Sequence, residues 1–268
     1  MKMISALPKH TKDYLSHLMQ AGRYVFTSQD ARAALGGSPA AVKQALNRLQ
    51  RKGEVASPAR GFYAIVPPEY RGLGCLPADQ FIPALMAHVG MSYYCGLQSA
   101  AQYHGAAHHR PQAFQVMLEK ARRPIHCGKV RVVFHVRKRM TEMPVQHINT
   151  PRGTIAVSTP DVTAFDLVGY ESKIGGLDAV ATILVELAEK LDPQKLADIA
   201  SLMPLPWAQR LGYLLEFIGE APKAVLLKRY VQTNANEVTA LEPSSSRSDR
   251  LRDEAWRLII NAELETET

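Results

Sequence analysis

Two amphipathic helical runs that meet at Gly36-Gly37-Ser38-Pro39 constrain this chain more than any other feature. Glycine takes the left-handed backbone at no steric cost, so Gly36-Gly37 stop the first run. Ser38 can cap the next, and Pro39 suits a first helical turn, where a missing N–H does no harm. The predicted order is a first helix over residues 8–19, with Tyr14, Leu15, Leu18 and Met19 on one face, then an extended Val25-Phe26. A second helix over 29–35, capped by Thr27 or Ser28, leads into a third that runs from Ser38 to Lys52 and stops at Gly53. Residues 54–56 and 62–66 read as strands joined by Ser57-Pro58-Ala59-Arg60-Gly61, with Arg60 at the hairpin tip. Together these pieces predict a winged helix-turn-helix.

The third helix separates cleanly by angle. Val42, Ala45, Leu46 and Leu49 form a core stripe, and the opposite arc holds Ala40, Lys43, Gln44, Asn47, Arg48 and Arg51 without a carboxylate. That arc has two readings, a solvated or protein-docking face and a DNA-reading face. For DNA, Lys43, Arg48, Lys52 and Arg60 would mainly hold phosphates, Gln44, Asn47 and Arg51 would read base edges, and Ser38 would donate to a phosphate.

Charge favours a polyanionic partner. Of the 268 residues, the first 140 carry 20 Lys+Arg against 6 Asp+Glu, and the remainder 12 against 19, so the front is strongly basic and the back acidic. The three cysteines show no CxxC spacing, which argues for reduced thiols and against a Cys-rich zinc site. No apolar run approaches the roughly 18 residues of a membrane span, and the opening segment shows no signal-peptide core, so a cytoplasmic protein is expected.

Residues 67–77, with Pro67-Pro68, Gly72 and Gly74, read as a linker, which puts a boundary at residue 70 between a 1–70 module and a 71–268 domain. Helices are predicted over 78–89 and 92–103, strands over 113–118, 129–138 and 155–157, helices over 161–168, 177–191, 193–202, 206–218 and 222–230, a Pro/Ser-rich link at 243–248 and a closing strand within 256–261. The fold class is therefore α+β, a winged helix followed by a mixed, largely helical domain. In the strand over 129–138, Arg131, Val133, His135 and Arg137 share one face, which runs on into Arg139. With Lys120, Arg122, Arg123 and Lys129 nearby, this is a second basic patch: a solvated edge, an accessory phosphate surface or a docking face for an acidic partner.

The order Ala45-Leu46-Asn47-Arg48-Leu49, Lys52-Gly53, Arg60-Gly61-Phe62-Tyr63, then residues 93–105 (YYCGLQSAAQYHG), Thr150-Pro151-Arg152-Gly153, 158–167 (STPDVTAFDL) and 210–216 (RLGYLLE) resembles the AbiEi family of antitoxins from type IV toxin–antitoxin systems. The resemblance implies a winged helix that represses its own operon by binding promoter inverted repeats, and a C-terminal domain that neutralises a nucleotidyltransferase-like toxin, in many members without a stable complex. By position, it would place DNA contacts on the third helix and wing. Arg131, His135, Arg137 and Arg139 are a candidate antitoxin surface drawn from the basic strand alone. With no heptad helix in view, a monomer that binds two repeats cooperatively is expected.

Enzyme patterns are sparse. His104, His108 and His109 lack the Glu of a zinc-protease motif, Glu119-Lys120 lacks a partner Asp, and no phosphate-binding loop or GxSxG is present. Asp161 reads as a helix-start residue and Asp166 as a local polar contact. No catalytic residue, metal or cofactor is expected. The alternatives are a ligand-responsive winged-helix transcription factor and a nucleic-acid-processing enzyme using Glu119 or Asp161.

Overall fold

The structure, a computed structural model, describes residues 11–106, 111–246 and 251–265. Its elements are α1 (Thr11–Gln20), β1 (Val25–Thr27), α2 (Ser28–Leu35), α3 (Pro39–Arg51), β2 (Val55–Ala59), β3 (Phe62–Ile65), α4 (Ile82–Val89), β4 (Tyr94–Cys95), α5 (Leu97–Tyr103), β5 (Phe114–Leu118), β6 (Ile125–Cys127), β7 (Val130–Val136), β8 (Val145–Thr150) and β9 (Gly153–Ser158). There follow α6 (Pro160–Gly169), α7 (Leu177–Leu187), α8 (Pro193–Ala200), α9 (Leu205–Phe217), α10 (Ala221–Asn234), β10 (Thr239–Ala240), β11 (Leu251–Asp253) and β12 (Leu258–Ile260). The α+β class is as expected. The start of the first predicted helix (8–10), His108 and His109, and the end of the Pro/Ser-rich link (247–248) lie outside the described residues.

The chain forms two compact units, one of residues 1–93, 112–136 and 147–156, the other of 94–111, 137–146 and 157–268. In the first, α1, α2 and α3 enclose a core of Tyr14, Leu15, Leu18, Ala31, Val42, Leu46 and Leu49. The wing sheet, in the order β1-β3-β2, closes it with Phe26, Val55 and Ile65. Phe26 meets the Tyr14 ring edge-on and stacks on Tyr63, both at 5.4 Å between centroids. Such pairs add about 0.5–1.5 kcal/mol beyond the area they bury.

A second core lies on the other face of the same sheet. Ala56, Phe62 and Ala64 pack with Cys75, Leu76, Phe81, Ile82 and Leu85 of the 75–85 region, and with Val116, Leu118, Ile125 and Val132. Residues 67–77 are thus no free linker, and the expected boundary at 70 falls inside a packed unit: Cys75 and Leu76 are fully buried. Proline and glycine there mark turns, which a chain can make inside a core as well as between domains. In this unit β7 lies between β6, antiparallel to it, and β5, parallel to it in the register Phe114↔Val132 to Leu118↔Val136. The strand β6 falls between the two strands predicted over 113–118 and 129–138, where no element was expected.

In the second unit, β4 pairs in parallel with β9 through Cys95↔Val157. Tyr94-Cys95 are therefore extended, where a helix over 92–103 was expected; helix begins only at Leu97. The whole of α6 from Asp161 to Val168 is buried, as suits a helix apolar on most sides, with α5, α7, α8 and α9 around it. At the C-terminal end β12 pairs in parallel with β10 and antiparallel with β11. Trp256 is fully buried here, and its indole N–H donates to Glu216 at 2.7 Å.

Glycine at 212 makes room for that indole. A Cβ on Gly212, inside α9, would lie 2.0 Å from two ring atoms of Trp256. Gly→Ala within an exposed helix gains about 1 kcal/mol from backbone propensity, whereas overpacking a core costs about 1–3 kcal/mol or more. Gly212→Ala is therefore expected to lower the urea midpoint at unchanged slope, by a net loss of about 1–3 kcal/mol. A variant as stable as the parent chain would refute the Trp256 seat.

Candidate nucleic-acid interface

The candidate face is built from caps inward. Thr27 starts α2: its hydroxyl accepts from the Asp30 N–H at 3.1 Å and the Asp30 carboxylate accepts from the Thr27 N–H at 2.8 Å, a reciprocal capping box. Gly36 and Gly37 both take positive φ, 65° and 78°, and turn the chain into α3. Ser38 then accepts from the Ala41 N–H at 3.2 Å, with Pro39 in the first turn. Its oxygen is used by the cap, so a phosphate could take only its O–H.

Val42, Leu46 and Leu49 are buried and Ala45 is half-buried, which sets the helical phase read from the sequence. Ser38, Ala40, Lys43, Gln44, Asn47, Arg48, Arg51 and Lys52 are all exposed. The wing is tighter than predicted, because β2 runs on through Pro58 to Ala59 with a register shift after Ala56. Only Arg60-Gly61 form the turn, Arg60 is exposed, and the Gly61 carbonyl accepts from the Ser28 N–H at 2.9 Å.

This tether brings wing and helices around one groove of about 240 Å³ lined by Arg32, Val42, Lys43, Leu46, Arg60 and Tyr63 among others. Its three cations converge from α2, α3 and the wing tip. No described carboxylate forms an ion pair with Arg32, Lys43, Arg48, Arg51, Lys52 or Arg60. Unneutralised cations on a concave surface concentrate positive potential. Arg32 was missed by sequence reasoning, which treated α2 as scaffold; its exposure on the helix just before the glycine turn was the available signal.

The second basic patch breaks up in the structure. Arg131 is exposed and His135 half-buried, and Arg139 is exposed, with its guanidinium donating to both Glu142 carboxylate oxygens at 2.8 and 2.6 Å. That contact raises Arg139 and lowers Glu142 from their ordinary pKa values. Arg137 is no surface residue: it is 3% exposed and ion-paired at 3.2 Å with the fully buried Asp166. Strand alternation assigns Arg137 a side but not what covers that side, which here is Trp207, with the guanidinium carbon 5.1 Å from its ring, and the sulfurs of Met143 and Met203.

Two aspartates of α6 find partners outside their own helix. The Asp166 carboxylate accepts from the Tyr94 hydroxyl, far along the chain, at 2.7 Å, and Asp161, in the first turn of α6 as expected, accepts from the Asp192 N–H at 2.9 Å while Thr159 supplies the helix cap. Burial raises Asp161 above the usual carboxylate range. His104 is buried, its Nε2–H donating to the Ser158 carbonyl at 2.7 Å, and burial lowers its pKa. Among the described residues no group of three or more His, Cys, Asp or Glu is arranged to hold a metal, and no helix is long and apolar enough to cross a membrane.

Residues 13–66 match the family described as a transcriptional regulator, AbiEi antitoxin, and residues 93–217 match the AbiEi antitoxin C-terminal domain. The chain belongs to the AbiEi antitoxin family. Its broad role is accordingly that of an antitoxin and regulator. A solved structure similar to this AbiEi chain is the "RV2827C protein from Mycobacterium tuberculosis", with a TM-score of 0.66 and 19% identity over 94% of this chain and 92% of that one. At that identity the likeness shows the fold. None of the curated proteins matches the chain.

Burial lifts the Asp166 carboxyl from its ordinary 3.8 to about 6, although Arg137 and the Tyr94 hydroxyl pull it down. A carboxyl whose pKa is higher folded than unfolded binds its proton more tightly in the folded chain, so its contribution to stability falls as pH rises from about 4 to about 6. Two pKa units correspond to on the order of 3 kcal/mol. Asp166→Asn is expected to flatten the stability profile across that window in urea titrations, while lowering stability at pH 7 by about 3–5 kcal/mol because Arg137 loses its counter-charge. Parallel profiles for the two proteins would contradict this assignment.

Proposed function

We propose that this chain is the antitoxin of a type IV system, and that it represses its own operon through α3 and the wing while its C-terminal residues neutralise a nucleotidyltransferase-like toxin. The observation that carries the DNA half is the exposed, carboxylate-free arc of α3 beside a groove lined by Arg32, Lys43 and Arg60. The division of labour is by stretch of chain rather than by packed unit, with DNA recognition assigned to residues 1–70 and toxin neutralisation to 71–268, which include the stretch that matches the antitoxin domain.

On this reading α3 enters the major groove, where Gln44, Asn47 and Arg51 offer the bidentate groups that distinguish base edges. Lys43, Arg48, Lys52 and Arg60 neutralise phosphates and fix the register, with Arg32 added from α2, and the Ser38 O–H and the Ala40 methyl face the backbone or a base. Inverted repeats take two chains, which bind cooperatively from monomers in the cytoplasm. The work is recognition, without a cofactor or a bond-making step. On the antitoxin side, Arg131 and His135 stay in the proposed surface; Arg139 keeps a weaker place because Glu142 already engages it. Arg137 leaves the surface and holds Asp166 instead.

A gel-shift titration of the full chain on the DNA upstream of its own gene tests the first half. Asn47→Ala or Arg51→Ala is expected to cost about 1–3 kcal/mol at the operator and to relax sequence preference. Arg60→Ala should instead weaken all DNA about equally and reduce the salt slope by roughly one unit. Full-length binding with no salt dependence, or no binding at all, would sink the repressor reading. For the second half, co-expression with the neighbouring toxin should restore growth, and Arg131→Glu should reduce that rescue while leaving operator affinity within about twofold.

A further inference from the structure

Beneath the wing, in the first unit, two thiols far apart in sequence are brought together by their backbones. The Lys129 N–H donates to the Leu73 carbonyl at 2.8 Å, and a Cβ on Gly128 would lie 2.3 Å from that carbonyl oxygen and 2.8 Å from the Gly74 Cα. Only glycine permits so close a crossing, and Gly128 takes a positive φ of 58° besides. The residues flanking this crossing are Cys75 on one strand of chain and Cys127 on the other, both free and both in the core that includes Phe62 and Ala64.

Both side chains lie in one core beside that crossing. Each thiol shifts the other: the neighbouring Cys75 thiol and the Ser57 backbone hold Cys127 below an ordinary thiol, while the neighbouring Cys127 and burial push Cys75 up. Cys75 is fully buried, and Cys127 keeps 8% of its surface open. Cys127 is thus the more accessible residue of the two and Cys75 the sequestered one.

We propose that Cys75 and Cys127 form a reversible oxidation site whose co-substrate is a small hydroperoxide, with Cys127 the attacking sulfur and Cys75 the resolving one. Cys127, having released its proton, attacks one peroxide oxygen; the O–O bond breaks, hydroxide leaves and takes up that proton, and Cys127 becomes a sulfenic acid. The Cys75 sulfur then attacks the Cys127 sulfur, the S–O bond breaks, and the departing hydroxide takes the Cys75 proton. Two thiols lose two electrons, hydrogen peroxide gains them, and two waters leave. The disulfide would join residues next to a crossing at which the two backbones already share a hydrogen bond, from the Lys129 N–H to the Leu73 carbonyl. It would be reopened by an external dithiol.

The test uses the full chain treated with hydrogen peroxide, then denatured and alkylated, with intact mass and non-reducing peptide mapping. The three thiols should fall to one, Cys95, with a loss of about 2 Da before alkylation and a peptide joining Cys75 to Cys127. Dithiothreitol should restore all three, and C75S should leave a Cys127 sulfenic acid that dimedone traps. If all three thiols still alkylate, if Cys95 enters the disulfide, if the bond joins two chains, or if Cys127 overoxidises while Cys75 stays free, the proposal fails. The map of the unsubstituted chain decides the matter even should C75S not fold.

Discussion

The first unit depends on one short strand that is covered on both sides. In β3, Phe62 and Ala64 point into one core, while Tyr63 and Ile65 belong to the core under the helix-turn-helix. Alternation with a period of two puts successive residues on opposite faces, and here neither face is left to water. The chain continues from β3, through Val66 and the buried Cys75-Leu76, into the strands and helix that cover the back of the sheet. Helix α3 consequently packs on a sheet whose far face is itself covered.

Arg152 reinforces that clamp from further along the chain. Its guanidinium lies 3.2 Å from the Tyr24 ring centroid, and it donates to Gln80 at 2.7 Å and to Glu69 at 3.3 Å. A cation over an aromatic face is worth about 0.5–2 kcal/mol, the more so when desolvated, and this one is largely buried. In the second unit the comparable device is the Arg137–Asp166 pair under Trp207. Both charges are buried, so removing either strands the other, which makes the pair a strong determinant of packing even though it adds little net stability.

Much of the candidate site was legible from residues alone. Caps, glycine stops and a helical phase are set within a few positions, so Thr27, Gly36-Gly37, Ser38 and the arc from Lys43 to Arg51 could be located without a fold. The turn at Arg60 was legible too, though not its tightness: Pro58 within β2 read as a breaker, and a bulge absorbs it. The strands β6, β8, β10 and β11 escaped notice because each is short or polar and takes its state from a neighbour. Tyr94-Cys95 read as helical for the same reason, since two residues carry no period and their pairing with β9 lies far along the chain.

What the sequence by itself determined was local: the helix-turn-helix, the exposed cationic face of α3, and the basic front half that suits a polyanion. Only the tertiary structure decided which residues were covered. It withdrew Arg137 from the surface, drew Cys75 and Leu76 of the 67–77 stretch into the core, gave Asp166 a partner from a strand 72 residues away, and placed Cys75 and Cys127 in one cluster. Short-range preferences come from steric and hydrogen-bonding rules that act over one or two turns. Burial depends on what else arrives at a face, and no residue's own neighbours in sequence carry that information.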